Sequence, residues 1–171
     1  MKNIVLTGFM GAGKSAVARI LSQQLGYVLV DVDCELERER QMTITEMFKQ
    51  YGEAAFRDME SAMIKKLSEM DRAVIATGGG AVLRQENRDN LRRKGIIVCL
   101  TASAETIYRR TGKDSNRPLL QVDDPLGKIR EMLASRKPYY EMADIMVDTE
   151  GKTPAEVAGE IIKKTRAKIR D

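Results

Sequence analysis

The segment Gly8-Phe9-Met10-Gly11-Ala12-Gly13-Lys14-Ser15 constrains this chain more than any other stretch. It fits the spacing G-x-x-x-x-G-K-[ST] between an apolar run at 4–6 and a helix-like segment at 16–25. With glycine at ~7% of average composition, a chain of this size would match by chance about once in a hundred or less. Glycines at 8, 11 and 13 let the backbone curl round an anion without Cβ clashes, so successive N–H groups converge on phosphate oxygens at the positive end of the next helix. Lys14 then reaches the β- and γ-phosphates, and the Ser15 hydroxyl ligates Mg²⁺. A glycine-rich turn without function would explain the glycines but not Lys14-Ser15. The segment is read as a nucleoside-triphosphate site.

Composition narrows what surrounds that site. The chain of 171 residues, 43% hydrophobic and 32% charged, suits a single domain, 1–171, with a substantial core. A net charge of +4 suits anionic substrates, but the basic residues are spread out, aromatics reach only 5% and Trp is absent, which disfavours nucleic acid as partner. The absence of histidine excludes histidine-based triads and leaves carboxylate, lysine, tyrosine or cysteine as general base. Cys34 and Cys99 lack metal-type spacing, so reduced thiols are expected. With no secretory h-region, no apolar segment of membrane-spanning length and no sustained heptad, the expectation is a cytoplasmic monomer away from the membrane.

Read in order, the chain alternates strands and helices. Strands are expected at 4–7, 27–32, 72–77, 96–100 and 144–148. Helices are expected at 12–25, 35–41, 43–51, 53–69, 87–94, 103–110, 126–141 and 154–170. This rhythm is that of βαβ units and an α/β fold with five parallel strands. Asp31-Val32-Asp33 closes the second strand, and residues i and i+2 share a strand face, so both carboxylates are expected to face the crevice beside the phosphate loop. Asp31 would hold Mg²⁺, directly or through water, and Asp33 would meet a substrate hydroxyl; the same pair would equally serve as helix caps. Arg57 has helical partners at Glu53 and Glu60, and spacing alone gives it no further role. Gly78-Gly79-Gly80 fits a place where a ligand approaches the backbone, or a plain tight turn. The polar segment 111–125 is long for a connection and carries Arg117, which fits either a lid closing over phosphates or an exposed loop.

Together, GFMGAGKS at 8–15, DVD at 31–33, FRDME at 56–60, GGG at 78–80, RPLL at 117–120 and the arginine of ASRKPYY at 134–140 resemble the shikimate kinase family over essentially the whole chain. The resemblance implies a three-layer α/β/α sandwich of the P-loop kinase type around a five-stranded parallel sheet. It also implies a helical substrate-binding region at about 33–61 and a lid at about 112–124. On that resemblance, Gly11, Ala12, Gly13, Lys14, Ser15 and Ala16 bind ATP, Ser15 and Asp31 serve Mg²⁺, and Asp33, Arg57, Gly78, Gly79, Gly80 and Arg136 hold shikimate. The forks of Arg57 and Arg136 suit its carboxylate. Arg117 would contact ATP from the lid, and Arg110 and Lys152 would flank the adenine. The implied reaction moves the ATP γ-phosphoryl group to the 3-hydroxyl of shikimate, with Asp33, Lys14 and Arg117 as catalytic residues. A Walker B aspartate is absent, and the glycine triplet occupies its place. Two rival readings stand beside this one: another small-molecule or nucleoside-monophosphate kinase, such as a gluconate kinase, and a regulatory module that binds nucleotide without phosphorylating anything.

Overall fold

The computed structural model describes residues 2–111 and 120–170. Its apolar runs form five parallel strands: β1 (Asn3–Gly8), β2 (Val28–Asp31), β3 (Ala73–Ala76), β4 (Gly95–Thr101) and β5 (Ile145–Asp148). The order across the sheet is β2-β3-β1-β4-β5, so β1, which feeds the phosphate loop, lies at the centre. Ile4 pairs with Val74 on one side and Ile96 on the other. Side chains alternate across the sheet with period two. Ile4 and Leu6 therefore enter one buried cluster with Val17, Leu21, Val157 and Ile161, while Val5 enters another with Leu36, Met47, Ile64 and Leu91.

The first cluster is closed by α1 (Lys14–Leu25) and α7 (Pro154–Arg170), the second by α2 (Val32–Arg40), α3 (Ile44–Leu67) and α4 (Gln85–Lys94). Helices thus cover both faces, which explains why the strands read as continuous apolar runs rather than as alternating ones. A third cluster, containing Phe9, Cys99, Ile107, Ile129 and Tyr140, joins the sheet to α5 (Ala104–Thr111) and α6 (Pro125–Tyr140). The architecture is the expected α/β sandwich.

Local signals set the boundaries. Thr43 caps α3 through a capping box with Glu46. Gly52, at φ 80° and ψ 170°, interrupts α3 where the sequence divides two helices. Asp124 caps α6, accepting from the Gly127 N–H, and Pro125 follows at the start of the helix. A single 3₁₀ turn (Ala81–Leu83) follows the glycine triplet. Among the described residues, no helix is long and apolar enough to cross a membrane.

Candidate active site

β1 delivers the phosphate loop to the carboxyl edge of the sheet, the edge at which open α/β folds bind ligands. Gly8 has φ 130°, and a Cβ there would collide with the Leu100 carbonyl. Gly13 caps α1 without any side chain, and no acidic residue occupies the first turn, so the positive helix end is available to an anion. Lys14 Nζ lies along the loop, donating to the Gly8 and Phe9 carbonyls at 2.8 and 2.9 Å. Ser15 Oγ donates to Asp31 Oδ2 at 2.9 Å. This all-oxygen pair fits Mg²⁺, a hard cation that keeps several waters and shares its shell with phosphate oxygens. Among the described residues, no group of three His, Cys, Asp or Glu side chains is arranged so that it could hold a metal ion. Phosphate and water would therefore supply the rest of the metal shell.

The two aspartates are brought together, but not as neighbours on one strand face. β2 stops at Asp31 because its Oδ1 accepts the backbone N–H groups of Asp33 and Cys34, at 3.1 and 3.3 Å, and so starts α2 at Val32. Asp31 is both a helix cap and a partner of Ser15, whereas Asp33 projects from the first helical turn. Both line one cleft of about 390 Å³ together with Gly11, Gly13, Lys14, Ser15, Ala16, Gly78, Gly79 and Arg110. Asp33 Oδ1 is buried and makes no hydrogen bond. Burial, reinforced by Glu60 and Asp31 and opposed by Lys14 and Arg57, pushes the Asp33 carboxyl up to about 7.

The glycine triplet owes its composition to close approach rather than to backbone strain, since none of its residues has a positive φ. A Cβ on Gly78 would lie 2.7 Å from Glu60 Oε1 and 3.2 Å from Asp33 Oδ1. On Gly79 it would meet the Met10 backbone nitrogen at 3.1 Å and Arg136 Nη1 at 3.6 Å, and on Gly80 it would collide with the Arg57 guanidinium. Side chains of the protein itself, not only a ligand, demand bare backbone here.

Arg57 keeps both helical partners, donating to Glu60 Oε2 at 2.7 Å and Glu53 Oε1 at 3.3 Å, and it abuts the triplet as well. Glu60 is completely buried, and its Oε1 has no partner. Burial raises its carboxyl, and the Arg57 charge opposes that rise. Sequence reasoning gave Glu60 no role beyond pairing. The available signal was a carboxylate on the apolar face of α3, sharing that face with Phe56, Met63, Ile64 and Leu67. Arg136, only 6% exposed, comes from α6 and stands over the Phe9 ring at 5.6 Å, with Nη1 unpartnered. Three polar atoms, on Asp33, Glu60 and Arg136, are thus buried without hydrogen bonds around one turn. Such groups are rare in folded proteins except where a ligand completes them.

On the nucleotide side, Arg110 donates to the Gly11 carbonyl at 3.3 Å and to Thr149 Oγ1 at 3.2 Å, tying the phosphate loop to the β5–α7 connection. Arg110, Ala12, Thr149 and Lys152 line a second cleft of about 190 Å³. Lys152 Nζ is held by the Asp148 carbonyl and by Glu160, each at 2.8 Å. Arg117 and residues 112–119 of the expected lid lie outside the described residues.

Comparison with known proteins agrees with this geometry. A family model described as shikimate kinase matches residues 10–166. The curated shikimate kinase of Thermodesulfovibrio yellowstonii is 51% identical over 164 residues, covering 96% of this chain and 95% of that protein. The solved shikimate kinase of Acinetobacter baumannii, in complex with shikimate, superposes with a TM-score of 0.95 at 38% identity, covering 98% of this chain and 94% of the other. A gluconokinase from Sinorhizobium meliloti reaches a TM-score of 0.59 at 18% identity, over 95% of this chain and 90% of its own, a likeness of fold alone.

Proposed function

This chain belongs to the shikimate kinase family, and from that premise we propose how its residues divide the reaction. The enzyme transfers the γ-phosphoryl group of ATP to the 3-hydroxyl of shikimate, giving shikimate 3-phosphate and ADP. The loop from Gly11 to Ala16 cradles the phosphates, and Lys14 swings from the Gly8 and Phe9 carbonyls to the β- and γ-phosphates. Arg110 and Lys152 border the adenine. Arg57 and Arg136 bind the shikimate carboxylate, and the triplet Gly78-Gly79-Gly80 lets the ring lie against the backbone.

Asp33 faces the acceptor hydroxyl. As the hydroxyl oxygen bonds to the γ-phosphorus and the bond from that phosphorus to the bridging oxygen breaks, the hydroxyl proton passes to the Asp33 carboxylate and the electron pair leaves on ADP. Ser15 and Asp31 would hold Mg²⁺, which offsets the negative charge of the phosphates when bound. Arg117, on a lid at about 112–124, completes the charge stabilisation, an assignment that rests on sequence alone. One domain, 1–171, carries both halves with its substrate-binding region at about 33–61. It works as a monomer in the cytoplasm, where ATP is supplied.

The observation that carries this reading is the convergence of Asp33, Arg57 and Arg136 on one glycine turn beside the phosphate loop. A nucleoside-monophosphate acceptor would need a base-sized pocket in place of two arginines set for a carboxylate, and a regulatory module would not need an acceptor site. Coupled ADP release tests all three readings. ADP should form with shikimate and fall to background with gluconate, with a nucleoside monophosphate or with ATP alone. Equal ADP release without shikimate would overturn the reading.

A further inference from the structure

We propose that Tyr140 is the positioning residue of the acceptor half, holding the glycine turn and Arg136 in one register through a single hydroxyl. This rests on the acceptor-site reading above and adds to it a residue that does not touch the substrate. Tyr140 closes α6, is only 5% exposed, and its O–H donates to the Gly79 carbonyl at 2.7 Å. Gly79 is the point where the turn meets both the phosphate loop, at the Met10 nitrogen, and Arg136.

Arg136 lies one helical turn before Tyr140, so both project from the same face of α6. Its charge favours the ionised phenol, but burial prevails and pushes the Tyr140 hydroxyl up to about 12. The hydroxyl therefore stays protonated and donates at all working pH values. A phenol has one donor and two acceptor lone pairs. With the donor spent on Gly79, the oxygen presents only lone pairs to the guanidinium. The contact that fixes the turn carbonyl thus lies beside Arg136, whose Nη1 would be 3.6 Å from a Cβ on Gly79. The ring sits in the cluster of Phe9, Ile107 and Ile129, which fixes where the hydroxyl points.

The test is Tyr140→Phe, which removes one oxygen and leaves the ring. KM for shikimate should rise about five- to twentyfold, and KM for ATP should stay within twofold. Ile129→Val, a cavity in the same cluster, should shift the melting temperature without separating the two KM values. An unmoved KM for shikimate, a parallel rise in both KM values, or a Tyr140→Phe protein that does not fold at 25 °C overturns the proposal. Arg136→Ala measured alongside separates the two possible failures. If it leaves KM for shikimate unchanged, the acceptor-site reading itself fails and takes Tyr140 with it. If it raises KM while Tyr140→Phe does not, only the role of Tyr140 falls.

Discussion

Asp33 shows how one side chain is shaped by what the others leave unsatisfied. Its carboxyl is raised from 3.8 to about 7, so between these values the folded protein binds a proton that the unfolded chain does not. That proton favours the fold fully below about pH 4, and the contribution is lost as pH rises through 7. Asp33→Asn should therefore gain stability on the wild type between pH 4 and 8, by about 2–4 kcal/mol at the upper end, as read from denaturant midpoints. An unchanged difference across that range would refute the shift. The proposed role of Asp33 as proton acceptor needs the opposite protonation state, so kcat/KM for shikimate should climb with pH through about 7 and then level.

The two arginines should separate in a similar way. Both Arg57→Ala and Arg136→Ala should weaken shikimate binding by about 2–3 kcal/mol in calorimetry, since each leaves a buried carboxylate short of a partner. Only Arg57→Ala should also cost about 3–5 kcal/mol of stability, because it strands Glu60 in the core without its cation. Equal stability of the two variants would contradict that pairing.

At the scale of elements, the turn between β3 and the 3₁₀ helix is the part whose sequence is least replaceable. Gly80→Ala should raise KM for shikimate by tenfold or more, since the added methyl displaces the Arg57 guanidinium. Gly26→Ala, at the αL end of α1 with open space around it, should cost only about 1 kcal/mol of stability and leave KM alone. Kinetics and melting of both variants check the contrast.

The elements themselves were legible because period and punctuation agree: apolar runs became strands, and Gly26, Gly52 and Pro125 fell at their ends. The second strand was read too long, since the side chain of Asp31 turns the chain into α2 early, a hydrogen-bond choice that residue type alone does not decide. Spacing likewise could not tell whether Arg57 belonged to its helix or to the glycine turn, because it keeps both helical partners and also abuts Gly80. The burial of Glu60 was not legible for a related reason: burial of a carboxylate depends on a turn 18 residues later in the chain coming back over it.

Taken as a whole molecule, the fold ends its central strand in the phosphate loop and groups the proposed acceptor residues beside it. β1 carries the phosphate loop, β2 and β3 on one side bring Asp31, Asp33 and the glycine turn, and α6 reaches across from beyond β4 with Arg136. Residues distant in sequence thus converge on one glycine turn beside the phosphate loop. The proposed facing of Asp33 toward the acceptor hydroxyl is tested by kcat of Asp33→Asn, measured with ATP affinity on the same sample. That kcat should fall about 100- to 10,000-fold with ATP affinity within a few-fold of wild type, and a near-wild-type kcat would remove Asp33 from the acceptor hydroxyl.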